Sequence, residues 1–305
     1  MRTFPVLFVL VATALAALPA AGGVRQSADA PIVYGTGSGG PQTRPTDIYV
    51  RDGGVVRRLT RTSASEAFPS WSPDRKRIVF SRAIRNDADI WVMNADGTGA
   101  RRLAGSARGP QDRYPAWSPN GKLIAFASNR AGEGDIYVMR ADGTGLRRLT
   151  RNARHIDDTQ PRFSPDGRYI VFNSNRLAHS NYEIYRVRVS DGRGLTRLTF
   201  WGSGGDLTPG DDLMAEYSPD GSRIAFVSDR RDGYGIWTMR ADGKDLRFVV
   251  SHRGLNVAFP RWSPDGSKLL YTTFPSAADN DFKLRIVPAT GGTPTVVGPG
   301  SEGDW

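Results

Sequence analysis

Between Tyr114 and Thr150 the apolar residues come in four short runs, each closed by a turn, and no helical period links them. Pro115 to Ser118 is the first run. Ser118-Pro119-Asn120-Gly121 ends it, with proline pre-setting φ for a type I turn and glycine following. Lys122 to Ala127 is the second run and leads into a polar loop, Ser128 to Gly134. Asp135 to Met139 is the third, and the Asp142-Gly143 hairpin signal turns it back onto the fourth, Leu146 to Thr150. β-Branched and aromatic residues alternate through these runs, which predicts a four-stranded antiparallel sheet.

The same unit recurs. WSPDRKRIVF from Trp71, FSPDGRYIVF from Phe163, YSPDGSRIAF from Tyr217 and WSPDGSKLLY from Trp262 copy the first hairpin. Segments opening at Asp89, Glu183 and Ile236 copy the second. The anchoring aromatics stand at 71, 117, 163, 217, 262 and 305, with spacings of 46, 46, 54, 45 and 43. One four-stranded sheet per period of about 40–50 residues is the pattern of a β-propeller. Residues 31–60 hold a second, third and fourth strand but no first, while residues 302–305 supply a first strand. Joining these fragments closes the ring and removes its open edges. The prediction is an all-β, six-bladed propeller over residues 31–305, its ring closed by the C-terminal strand.

The cycle W-S-P-D-G, I-A-F, D-I-Y-V-M, A-D-G, R-L-T resembles the WD40-like PD40 repeat of the TolB family, and the resemblance covers nearly all of residues 31–305. It implies a propeller with a protein-binding canyon at one end. The α/β domain that precedes the propeller in that family finds no room in residues 1–30.

The N-terminus has one basic residue, Arg2, an apolar run from Phe4 to Leu18, and then Ala20, Ala21 and Gly22. That is the layout of a secretory signal peptide, and the run is shorter than the roughly 20 residues a spanning helix needs. We expect a signal over 1–22, with cleavage as late as 30, and a monomeric periplasmic or secreted domain with no stable membrane span. Retention as an anchor is the alternative. The chain has no cysteine, so neither disulfides nor a lipidated N-terminal cysteine contribute.

A net charge of +10 raises the question of nucleic acid. Many of the arginines, however, recur on the outermost strand of successive blades, at Arg57-Arg58, Arg101-Arg102, Arg147-Arg148, Arg197 and Arg247. Charges spread there blunt exposed sheet edges, and an exported chain meets no nucleic acid. Residues 35–40, GTGSGG, match a dinucleotide fingerprint, but Pro41 and Pro45 bar the helix it requires.

Turns between strands one and two, and between three and four, are short and uniform, and they lie on one face. The remaining loops vary and lie on the other face, where binding residues concentrate. A carboxylate stands five residues before the aromatic in four repeats: Glu66, Asp112, Asp158 and Asp212. Glu302 takes a similar place before Trp305, and Asp157 and Asp211 add second acids. Three readings fit these acids: turn formation, a channel-mouth ring that receives a cationic segment of an envelope protein or peptide, or a Ca²⁺ site with Asp112 and Asp158 among its ligands. Trp201, in a glycine-rich insertion at 200–210, suits an interface anchor. His155, beside Asp157 and Asp158, is the nearest approach to an acid–base group. No cysteine nucleophile or G-x-S-x-G elbow occurs. The leading expectation is a non-catalytic binding module. The alternative is a metal-assisted hydrolase or lyase at the channel mouth.

Overall fold

The computed structural model describes residues 30–36, 46–84, 87–105, 109–178, 181–200, 210–231, 233–275 and 281–305. Among them the chain forms six four-stranded antiparallel sheets and no helix. Blade 1 is assembled from both ends: Ser301–Asp304 pairs with Ile32–Gly35, followed by Ile48–Asp52 and Val55–Arg58. Val33 lies opposite Asp304 and Gly35 opposite Ser301. The other five blades are sequential, with first strands Ser65–Trp71, Asp112–Trp117, Asp158–Phe163, Asp212–Tyr217 and Leu255–Trp262. Each first strand touches the first strand of the next blade all the way round, which makes the six a closed inner wall.

Burial follows from sheets covered on both faces. Six apolar clusters each straddle two adjacent blades. Between blades 2 and 3, Trp117 packs with Val79 and Ile90, as expected for an aromatic wedged between sheets. Phe80, Phe126, Phe172, Phe226 and Tyr271 occupy one equivalent position in the second strands and are fully buried. The A-D-G turn docks each blade on its predecessor. A Cβ on Gly143 would stand 2.8 Å from the Leu103 carbonyl oxygen, so only glycine allows that approach.

The first strands start earlier than the apolar pattern suggested. Blade 3 opens at Asp112 rather than Pro115, because Asp112 and Arg113 still pair with Ser128 and Ala127. The ladder then skips to Ala116 and Trp117, a β-bulge at which the proline avoids donating to the ladder.

The recurring polar letters of the repeat form a lock inside the blade. Asp135, at the start of a third strand, meets Arg148 of the fourth at 2.7 Å. Thr150 accepts the Ile136 N–H at 2.9 Å. Asp47–Arg58, Asp89–Arg102 and Glu183–Arg197 repeat the ion pair in blades 1, 2 and 4. The second arginine of each predicted rim pair is therefore neutralised within its own blade, while Arg101 and Arg147 reach backbone carbonyls of the next blade. Blade 5 replaces all three members, with Gly235, Phe248 and Val250 at the positions of Asp135, Arg148 and Thr150. There the Phe248 ring packs edge-on to Trp237, 5.4 Å between centroids, and fills the space an acid would take.

Removing one partner of a buried pair costs more than exchanging the whole set for apolar groups. Asp135→Ala alone should destabilise the protein by about 3 kcal/mol in urea denaturation. The combined Asp135→Gly, Arg148→Phe, Thr150→Val change, which copies blade 5, should cost about 1 kcal/mol or less. A combined variant as damaged as the single one would show that the lock is not a self-contained unit.

Candidate functional site

Each first strand carries an inward residue with φ between 54° and 59°: Phe68, Tyr114, Gln160, Met214, Phe259 and Glu302. Left-handed backbone at non-glycine residues is uncommon, and six at equivalent positions mark a built feature. The bulge turns each of these side chains into the channel. Phe68 packs at a tilt against Tyr114 and Phe259, at 4.3 and 5.9 Å between ring centroids. Together the residues plug the channel, leaving about 10 Å³ among them. The freed backbone N–H groups find partners on the preceding blade. Phe68 N–H donates to Glu302 Oε2 at 2.6 Å, Met214 N–H to Asn173 Oδ1 at 2.9 Å, and Phe259 N–H to Met214 Sδ at 3.2 Å.

The four predicted acids upstream of the plug are turned into their blades. Glu66, Asp112, Asp158 and Asp212 have no exposed surface, and each meets an arginine at the end of its own second strand. Arg82 reaches Glu66 at 2.9 Å, Arg130 reaches Asp112 at 2.7 Å, and Arg176 holds both oxygens of Asp158 at 2.8 and 2.9 Å. Arg230 holds Asp212 in the same way. The guanidinium groups also lie over rings, Arg82 over Trp91 at 4.1 Å and Arg176 over Tyr185 at 4.8 Å. Burial still pushes the Asp112 and Asp212 carboxyls above the ordinary range, against the pull of their arginines. A cation at Asp112 or Asp158 would have to displace a guanidinium. Among the described residues no three His, Asp or Glu side chains converge as a metal-holding group.

Glu302 differs from the place expected for it. It stands three residues before its aromatic rather than five, which puts it in the plug. Burial raises its pKa to about 8, and Oε1 has no hydrogen-bond partner. His155 is exposed on the loop before Asp158, in left-handed backbone with φ 68°. Trp201 lies outside the described residues; its neighbour Phe200 is exposed, with the Arg197 guanidinium 4.5 Å over its ring.

The acids that do reach the loop-rich mouth are the second ones. Asp158 opens the strand and is buried, while Asp157, one residue before it, is half-buried and accepts the Gly134 N–H at 2.8 Å. Asp157 and Asp211 are half-buried there, joined by Asp229 and by Tyr182 and Tyr234. Asp211 accepts the Tyr182 N–H at 2.8 Å and the Tyr234 hydroxyl at 3.2 Å, and its own N–H donates to Asp229 at 2.9 Å. Burial raises the Tyr182 hydroxyl, and Asp157, the plug residue Tyr114 and Asp211 push it further. Burial, with Asp211 and Asp229, pushes Tyr234 up to about 12. Phe274, packed against the plug, stacks with Phe282 at 5.4 Å on the same side. The result is a tyrosine- and carboxylate-lined rim over an aromatic floor.

The short-turn mouth is different. Two residues beyond each left-handed position come Ser70, Ala116, Arg162, Glu216, Arg261 and Asp304, and all of these but Arg261 line a cavity of about 290 Å³. Arg261 bridges to Glu216 at 2.9 Å, and Trp71 N–H donates to Asp304 at 2.8 Å. Both layers were legible in a four-letter pattern that apolar periodicity passes over: Phe-Pro-Ser-Trp at 68–71, Tyr-Pro-Ala-Trp at 114–117, Gln-Pro-Arg-Phe at 160–163 and Phe-Pro-Arg-Trp at 259–262. A proline inside a strand signals a bulge.

The family model for the TolB beta propeller domain (PD40) matches residues 29–215. The chain belongs to that family. TolB from Acinetobacter baumannii superposes on this TolB-type propeller with a TM-score of 0.72 at 22% identity, over 90% of this chain and 66% of that one. The propeller thus spans just under two thirds of that protein's length. Putative TolB from Agrobacterium tumefaciens gives 0.68 at 21% identity, over 89% and 91%. Oligogalacturonate lyase from Vibrio parahaemolyticus gives 0.54 at 15%, over 87% and 72%. These likenesses show a shared fold. No curated protein matches the sequence.

Glu302 gives the TolB-type plug a pH signature. A carboxyl with a folded pKa raised from 4.5 to about 8 keeps its proton when folded and loses it when unfolded. Stability therefore falls as pH rises between those values, each pKa unit being worth about 1.4 kcal/mol. Glu302→Gln should make this slope shallower, so that the variant loses less Tm from pH 5 to 8 than the parent, in which burial also raises Glu216 to about 8. Parallel Tm–pH curves for the two proteins would refute the assignment.

Proposed function

We propose that the chain is an exported, non-catalytic module of the cell envelope that holds a cationic segment of a partner protein at the loop-rich mouth. The observation that carries this reading is the half-buried cluster of Asp157, Asp211 and Asp229 with Tyr182 and Tyr234 above the aromatic plug. Tyrosine rings give rigid contact area and face-on attraction for ammonium or guanidinium groups, and carboxylates supply complementary charge. The acids one residue further on, Asp158 and Asp212, serve by tying strands together, so the surface acids sit on a frame that moves little. Membership of a TolB-type family supports a binding role, and the apolar N-terminal run of residues 4–18 supports export.

Acid–base chemistry is less well served. Asp112, Asp158 and Asp212 are each closed by an arginine, and a general acid or base must instead face the reacting group. The test is capture of an envelope protein from extract by the immobilised mature domain. Asp211→Asn with Tyr182→Ala should weaken capture about tenfold, and raising salt from 0.05 to 0.5 M should weaken it in the parent. Trp201→Ala measures what the insertion adds. Capture indifferent to all three changes, or substrate turnover that Asp157→Asn abolishes, would overturn the reading.

A further inference from the structure

At the seam between blades 2 and 3, two arginines close the gap from the short-turn side. Arg77, first residue of a second strand, lays its guanidinium over the Trp117 ring at 4.7 Å. Arg101, on the fourth strand, reaches the carbonyl of Asp142 in the next blade's turn at 3.5 Å. At the next seam Arg147 makes the same reach to Val189 at 2.5 Å. Blade 5 has the equivalent arginines, Arg223 and Arg247, facing the equivalent ring, Trp262 of blade 6.

Neither closes its seam. Arg223 donates to Asp245 Oδ2 and to its carbonyl oxygen, both at 2.8 Å. Arg247 binds the same carboxylate at 2.8 Å. Asp245 holds them back from a left-handed position, φ 54°, where blades 2, 3 and 4 use Gly99, Gly145 and Gly194 with φ 65° to 69°. A strained aspartate in a slot that glycine fills elsewhere needs a reason beyond the fold. What it leaves between the blades is a groove of about 390 Å³. Its apolar surface comes from Trp262 and Phe248, the latter being the residue that replaces a lock arginine. Asp220 and Asp265 stand on its lips. Ser218, Ser222 and the turn backbone hold the Asp220 carboxyl below its usual range, so it is charged at neutral pH. With Asp245 binding both arginines, the five charged side chains leave one net negative charge at the groove.

We propose that this groove is a seat for an arginine side chain of a partner protein, separate from the loop-rich mouth and on the opposite face. The chain's own packing defines the ligand: guanidinium groups cover the equivalent ring Trp117 and also Trp71, through Arg77 and Arg75. Asp245, helped by Thr238, whose hydroxyl accepts from Arg223 at 3.2 and 3.3 Å, acts as a latch that keeps Arg223 from occupying the seat itself. The guest's guanidinium would lie on Trp262, with Asp220 and Asp265 accepting its N–H groups.

Calorimetric titration of the mature domain with acetyl-Gly-Arg-Gly-amide and with its citrulline counterpart tests this. Citrulline keeps the shape and loses the charge. The arginine peptide should bind at least tenfold more tightly than the citrulline one. Asp245→Gly restores the repeat's own residue, so it should fold with an unchanged or higher Tm and lose at least tenfold in arginine affinity as Arg223 swings over Trp262. Asp142→Asn, in the equivalent and exposed turn of blade 3, should leave the affinity unchanged. Equal binding of the two peptides, no binding of either, or full affinity in Asp245→Gly would each overturn the proposal, and loss of binding in Asp211→Asn would place the peptide at the loop-rich mouth instead.

Discussion

The structure depends on one short antiparallel pairing, Ser301–Asp304 against Ile32–Gly35. Every blade presents apolar side chains on both faces, and a blade with one uncovered face would expose a cluster such as that of Ile32, Tyr34, Leu270, Leu284 and Trp305. Closure also completes the channel. Glu302 accepts the Phe68 N–H and Asp304 accepts the Trp71 N–H, so the last five residues pin the first strand of blade 2 as well as their own sheet. The plug, both mouths and the seams inherit their geometry from that ring.

Within the ring, charge does structural work that a count of +10 conceals. Arginines that look like a basic rim are divided between ion pairs within their own blade and contacts with the next one. Arg82, Arg130 and Arg176, by contrast, sit between an acid on one side and aromatic rings on the other, a setting in which guanidinium is easier to bury than ammonium. That preference matches a chain in which arginine far outnumbers lysine. Blades 5 and 6 abandon the third-to-fourth-strand lock. The family match, which ends at residue 215, stops where that departure begins.

The fold was readable because six copies of one unit each repeat the same turn letters, and the spacing of their aromatics sets the blade count. The site was readable only in part. Acids at fixed spacing drew attention to Asp112 and Asp158, yet the strands begin at those acids and bury them, and Asp157 and Asp211, each one residue ahead of its strand, are the ones at the mouth. Apolar periodicity is blind to a bulge, and the bulge decides which of Glu302 and Asp304 enters the plug and which the wider cavity. The latch at Asp245 needed three dimensions, since one aspartate in place of glycine means little until both of its arginines are seen to bind it.

Thermal unfolding of residues 31–300, the propeller without its last strand, tests the closed ring most directly. Losing a paired strand and the buried Trp305 should lower Tm by at least about 10 °C and broaden the transition. A truncated protein that unfolds at the parent's temperature in an equally sharp transition would contradict the account.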